Sequence, residues 1–206
     1  MKRAITISLL FFLSITTLSQ NSGWIVLNSV PVASALNDIF AFNSQTAIAV
    51  GNNGIIIKTA NGGDTWTALE VTSNVNLYSI YFVNSQIGWI AGNDRTILKT
   101  TNGGESWFQQ FSTMSNRHAK DIFFINENTG WFVCRDDWFT SIAIVYSTND
   151  GGNSWSSHLT GSSWNYNSIC FVSAIQGLIV GGGGNIFKSN DGEAVGLKKQ
   201  VILQTI

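Results

Sequence analysis

Three arginines, Arg95, Arg117 and Arg135, lie well apart in the chain, and each could grip an acid. A guanidinium offers a planar fork of donors that binds carboxylates bidentately, and its flat face packs on apolar surface. Arg135 is followed by Asp136, Asp137 and Trp138, while Trp164, Asn165 and Tyr166 form a second aromatic cluster. Arginine, acid and aromatic together make the residue mix of binding hot spots. The bland alternative is that loops hold polar residues and aromatics cap a core. A pair of carboxylates could instead hydrolyse a glycosidic bond; Asp94, Asp136, Asp137 and Glu70 are the candidates, at separations that spacing cannot give. Other chemistries lack their residues: there is no Ser nucleophile elbow, no His-Glu-x-x-His and no phosphate-loop lysine. Gly181-Gly182-Gly183-Gly184 has neither that lysine nor a strand-to-helix setting, and reads as a flexible turn. Cys134 and Cys170 have no second Cys or His at metal-ligand spacing. No catalytic residue, metal or cofactor is assigned.

Composition narrows the setting. The 206 residues are 44% hydrophobic, enough for a core, and eleven Lys plus Arg face twelve Asp plus Glu, which gives no electrostatic footprint for nucleic acid. Lys2 and Arg3 precede an apolar stretch from Ala4 to Leu18 and then Ser19, Gln20, Asn21 and Ser22, the order of a secretory signal over residues 1–20. The stretch is shorter than the roughly 20 apolar residues of a spanning helix, and Thr16 and Thr17 dilute its end, so no transmembrane span is expected once the signal is removed. Cleavage is expected near Ser19 to Asn21, with a secreted or periplasmic destination. No Cys stands there for a lipoprotein anchor. An oxidising destination would allow Cys134 and Cys170 to pair, but they fall at different places in the repeat and two free, mostly buried thiols fit better.

An internal repeat organises the chain. Thr59-Ala60-Asn61-Gly62-Gly63-Asp64-Thr65-Trp66 recurs 41 residues on as Thr100-Thr101-Asn102-Gly103-Gly104-Glu105-Ser106-Trp107, and 48 further as Thr148-Asn149-Asp150-Gly151-Gly152-Asn153-Ser154-Trp155. A fourth copy begins at Ser189-Asn190-Asp191-Gly192 and breaks off. Asn43-Ser44-Gln45 matches Asn84-Ser85-Gln86, and Gly88-Trp89 returns at Gly130-Trp131. Each unit reads as four short strands between turn signals; in the second they are Leu77 to Val83, Ile87 to Gly92, Thr96 to Thr100 and Trp107 to Phe111. Four strands in about 41 residues make one propeller blade, a sheet that must stack on neighbours. In the recurring motif the Asn or Asp accepts backbone N–H bonds of its own turn, the Gly pair permits positive φ, and the Trp fills the wedge between sheets, its indole N–H needing one partner. Thr59, Asn61, Gly63, Thr65 and Trp66, with Thr100, Asn102, Gly104, Ser106 and Trp107, and Thr148, Asp150, Gly152, Ser154 and Trp155, are therefore scaffold.

The pattern Ser/Thr-x-Asp/Asn-x-Gly-x-Ser/Thr-Trp, met in full three times, resembles the Asp-box, or BNR repeat, of sialidases and many other β-propellers. The longer unit, Gly88-Trp89-Ile90-Ala91-Gly92 leading to Ile97-Leu98-Lys99-Thr100 and the box, resembles the photosystem II stability and assembly factor family and its secreted bacterial relatives. The resemblance covers about residues 22 to 192. It implies an all-β fold, a β-propeller-like array of four-stranded antiparallel blades, and for the photosystem-related members it implies help in assembling a membrane complex. Boxes mark a turn and recur in enzymes and non-enzymes alike, so they fix fold more than function.

The blade units are about 36–69, 77–111, 119–159 and 166–192, with an N-terminal strand over 22–28. That strand could complete the last unit and close a ring of about four blades, which would remove exposed edges. Family members usually have more blades, so a truncated chain or an open, incomplete arc also fits. The tail 193–206 abandons the repeat and is a frayed end, a substitute strand or a shifted reading frame.

Strand order decides which loops share a face. Turns after first and third strands lie at one end of each blade, where all boxes sit; turns after second and fourth strands lie at the other, with Arg95, Arg117 and Arg135. The third unit's extra residues fall around Cys134 to Thr140, on that arginine end. Trp138 and Trp164 are out of register with the repeat and land there too. The expectation is an exported, non-enzymatic module that offers this rim, Arg95, Arg117, Arg135, Asp136, Asp137, Trp138, Trp164 and Tyr166, to a protein or glycan partner. The alternative is a sialidase-like or other glycoside hydrolase, whose three arginines would clamp a substrate carboxylate; the Arg-Ile-Pro segment of such enzymes is absent.

Overall fold

A computed structural model describes residues 23, 31–69, 74–113, 117–136, 143–159, 165–192 and 198–200. Among the described residues, sixteen strands form four antiparallel four-stranded sheets in chain order. Blade 1 holds β1 (Leu36–Ala41), β2 (Ala47–Gly51), β3 (Ile56–Thr59) and β4 (Thr67–Leu69). Blade 2 holds β5 (Leu77–Phe82), β6 (Gly88–Gly92), β7 (Ile97–Thr100) and β8 (Phe108–Phe111). Blade 3 holds β9 (Arg117–Phe124), β10 (Gly130–Asp136), β11 (Ile144–Thr148) and β12 (Ser156–Leu159). Blade 4 holds β13 (Tyr166–Phe171), β14 (Gly177–Gly181), β15 (Ile186–Ser189) and β16 (Lys198–Gln200).

The hairpins between first and second strands are fixed by local side chains. Asn84 Oδ1 accepts the Gln86 and Ile87 N–H groups at 2.8 and 2.9 Å, and Asn43 and Asn126 repeat this in blades 1 and 3. An Asx turn of this kind replaces backbone pairing at the loop. The second strands β2 and β6 are buried along their whole length. Both their faces meet other sheets or strands, so they read as continuous apolar runs rather than alternating ones.

Core residues gather between blades, not within one sheet. Ile48, Val50 and Ile56 of blade 1 pack on Leu77, Ile80, Phe82, Ile90 and Leu98 of blade 2. Trp89 then stacks on Phe124 at 3.5 Å, and Trp131 on Phe171 at 3.7 Å, joining blades 2 to 3 and 3 to 4. The first strands of consecutive blades lie side by side, β1 with β5, β5 with β9 and β9 with β13; β13 and β1 make no comparable contact. Among the described residues the blades thus form an open arc.

The fourth sheet takes its last strand from the tail: Phe187 pairs with Lys199 and Lys188 with Lys198. Residues 193–206 were expected to leave the repeat, and within them 198–200 act as the substitute strand. The expected signal 1–20 and strand 22–28 lie outside the described residues, apart from Gly23. Cys134 is buried, Cys170 is exposed, and the two are not joined, so the expectation of mostly buried thiols fails for Cys170.

Candidate rim site

The box end of each blade is built by one hydrogen-bond pattern. In blade 1, Thr59 Oγ1 donates to Asn61 Oδ1 at 3.0 Å and accepts the Gly63 N–H at 3.0 Å, while Asn61 Oδ1 accepts the Thr65 N–H at 3.0 Å. Blade 2 repeats it with Thr100, Asn102, Gly104 and Ser106, and blade 3 with Thr148, Asp150, Gly152 and Ser154. The glycine pairs have φ between 68° and 97°, which side chains rarely adopt. Asp150, with the hydroxyls of Ser154 and Thr148 and the N–H groups of Ser154 and Asn153 around it, is held down at about 2 by those hydrogen bonds, the Ser154 hydroxyl first. The box tryptophans Trp66, Trp107 and Trp155 find no acceptor for their buried indole N–H groups, against the expectation of one partner each. Trp89 and Trp131 do find one: they donate to the next boxes, at Gly151 O (3.2 Å) and Gly192 O (2.9 Å).

Lysines tie the boxes of blades 2 and 3 to the blade before each. Lys58 donates to Gly103 O at 3.1 Å and pairs with Glu105; Lys99 donates to Gly151 O at 2.8 Å and lies over the Trp89 ring. Burial lowers the Lys99 ammonium, and the Asp150 and Glu127 carboxylates oppose that shift. A second cross-blade set lies on the first strands, where Asp121 takes the Ser79 hydroxyl on Oδ1 (2.9 Å) and the Ser168 hydroxyl and Ile169 N–H on Oδ2 (2.7 and 2.8 Å). Asp38, two repeats before Asp121, accepts the Ile80 N–H at 2.8 Å. Sequence reading missed both sets, although Asp38, Ser79, Asp121 and Ser168 recur at the repeat spacing.

The opposite end carries the arginines. Arg95 closes the short turn between β6 and β7, with its backbone in the left-handed region at φ 55°. Blades 1 and 4 place Gly54 and Gly184 there, at φ 72° and 69°. The Arg95 guanidinium crosses to blade 3, donating to the Tyr146 hydroxyl and lying 5.7 Å from the ring centroid. Arg117 begins β9 and faces Asp136 in the strand register; Arg135 is exposed and faces His118. Arg95, Arg117 and Arg135 therefore all stand at sheet ends away from the boxes.

Tyr166 departs from the expected contact set. Its side chain is fully buried, edge-on to Phe187 at 5.2 Å, because it stands at the repeat position of Leu77 and fills the same interblade core. Asp137, Trp138 and Trp164 lie outside the described residues. Among the described residues no group of three potential metal ligands gathers, and no helix is long and apolar enough to cross a membrane. The turn at Gly182–Gly184 is a short 3-10 turn joining β14 to β15, and it is equivalent to the Arg95 turn.

The family described as photosynthesis system II assembly factor YCF48 matches residues 16–157. Among solved structures, YCF48 bound to a D1 peptide is similar at 15% identity and TM-score 0.53, covering 86% of each chain. YCF48 from Cyanidioschyzon merolae is similar at 14% identity and TM-score 0.50, covering 86% of this chain and 88% of that one. An ancestral GH74 enzyme shares the fold at 18% identity and TM-score 0.65; 84% of this chain matches, over only 25% of the enzyme. No curated protein matches the sequence.

Proposed function

Because the chain belongs to the photosynthesis system II assembly factor YCF48 family, we propose that it is a protein-binding module whose partner docks on the rim away from the boxes. Arg95 carries this reading. An arginine occupies a backbone conformation for which two sister blades use glycine, and its guanidinium is preset against Tyr146. A preset fork loses less freedom on binding than a free one, which favours recognition over stability. The chemistry fits a peptide segment with carboxylates, gripped by Arg95, Arg117 and Arg135, with apolar side chains beside Trp138 and Trp164. That one YCF48 structure holds a D1 peptide supports a peptide as the partner class.

The test is capture of partners from the source organism, with Arg135→Ala and Trp138→Ala compared against the unaltered protein. Loss of the same partner from both variants supports the rim; unchanged capture by both removes it. Export is part of the proposal, resting on Lys2, Arg3 and the apolar run to Leu18. N-terminal sequencing of protein recovered outside the cytoplasm should start near Gln20 to Ser22, and an intact Met1 would contradict it.

A second reading, glycan binding or hydrolysis, draws on the fold shared with the GH74 enzyme and on Asp94, placed in the same turn as Arg95. Turnover of a fluorogenic glycoside by the purified protein, abolished by Asp94→Asn or Arg117→Ala, would favour it.

A further inference from the structure

The two ends of the arc carry opposite halves of the contact that joins consecutive blades. In blade 4, Leu178 and Val180 stand at the repeat positions of Trp131 and Val133, which the next blade covers to 2% and 0% exposure; Leu178 and Val180 are 45% and 43% exposed. With Cys170, Val172 and Lys188, Leu178 lines an apolar groove of about 290 Å3. In blade 1, Leu36 and Ile39 stand where blade 2 has Leu77 and Ile80. Leu77 and Ile80 are 0% and 4% exposed, against 41% and 57% for Leu36 and Ile39. Beside them Ala49, Ile57 and Trp66 line a cavity of about 380 Å3.

Polar partners match in the same register. Lys58 of blade 1 reaches forward to Gly103 O and Glu105 of blade 2. Lys188 is the exposed equivalent in blade 4, and the residues that stand in blade 1 for Gly103 and Glu105 are Gly62 and Asp64. On the first strands, Ser79 reaches forward to Asp121; Asp38 holds the place of Asp121 and Ser168 that of Ser79, although the Ser168 hydroxyl already donates to Asp121. An ammonium thus leaves one end of the arc where a carboxylate and a carbonyl stand at the other.

We propose that a second copy of this chain covers both faces, with blade 4 of each copy docked on blade 1 of the other, so that two arcs close one ring of eight blades. The contact continues an interface that the chain already makes three times, between blades 1 and 2, 2 and 3, and 3 and 4. A head-to-tail contact closes or runs on into a filament according to the rotation per copy. Two arcs of four blades reach eight, within the range of known propellers. One copy alone does not close, since β13 and β1 fail to meet as consecutive first strands do.

Sedimentation velocity of the purified full chain over a dilution series tests this. The expected result is a discrete dimer that dissociates on dilution. Lys188→Glu should weaken association by at least about tenfold, because a carboxylate then faces Asp64. Asp64→Lys should do the same, and the charge-swapped double variant should recover most of the loss, which separates pairing from misfolding. Monomer at every concentration overturns the proposal, as does a dimer indifferent to Lys188→Glu. A ladder of growing species overturns the closed ring.

Discussion

Arg95 places an ordinary side chain at φ 55°, where Gly54 and Gly184 serve the sister turns. The left-handed region costs a residue with Cβ roughly 1 to 2 kcal/mol, and the Tyr146 contact offsets part of that here. Arg95→Ala and Arg95→Gly both remove the guanidinium, but only alanine keeps the backbone penalty. Chemical denaturation should therefore find Arg95→Gly more stable than Arg95→Ala by about 1 kcal/mol, while both lose the partner equally. Equal stabilities would show that the turn is not strained. Asp150 gives a second prediction at this scale. Its carboxyl is held at about 2 in the folded protein against 3.8 as a free group. A depressed carboxylate stabilises the fold above the unfolded value, and that contribution drains away as pH falls from 3.8 towards 2. Asn61 and Asn102 fill the same place in the other boxes without titrating. Asp150→Asn should thus flatten the acid limb of the stability profile in that window, and an unchanged limb would put the acid sensitivity elsewhere.

The box is an element whose two roles were unequally legible. Its turn chemistry is local: a hydroxyl, an Asn or Asp and two glycines within eight residues carry the whole hydrogen-bond pattern, so the sequence shows it directly. Its second role, receiving a lysine and an indole from the previous blade, joins residues 45 to 62 positions apart, and no window along the chain displays it. Blade 3 breaks the series, with Ser147 where Lys58 and Lys99 stand. Ser147 instead shares a hydrogen bond of 2.7 Å with His158 Nε2, and a cavity of about 200 Å3 opens beside Asp191 and Gly192. Ser147→Lys should fill it, placing an ammonium near Asp191 and the Gly192 carbonyl, and raise stability by about 0.5 to 1 kcal/mol in urea unfolding. A loss of that size would mean that the hydroxyl and imidazole contribute more than the bridge. Tyr166 shows the same division between local and periodic signals: beside Trp164 it looks like loop aromatic surface, but counted by the repeat it aligns with Leu77 and Ala119, both buried.

At the scale of the whole molecule, interior position along the arc governs protection. Four units and antiparallel sheets follow from the repeat, since a blade sheet with two apolar faces must be covered on both. What completes the last sheet did not follow from it, because the sequence of β16 bears no likeness to the other fourth strands, although it pairs antiparallel with β15 as they pair with theirs. Blades 2 and 3 are covered on both sides, and Trp89, Phe124, Phe132 and Trp131 are all within 2% of full burial. Blades 1 and 4 each keep one open face, with Ile39 and Val180 largely uncovered. Local opening is cheapest where few apolar contacts must break. Hydrogen exchange of dilute protein should accordingly be slowest in β6 and β10 and faster in β1 and β14. Raising concentration through the association range should slow β1 and β14 together and leave β6 and β10 unchanged, because a head-to-tail contact covers both ends at once. Protection gained at one end alone would mean that some other occupant seats there, and uniform exchange along the arc would mean that the four blades open as a single unit.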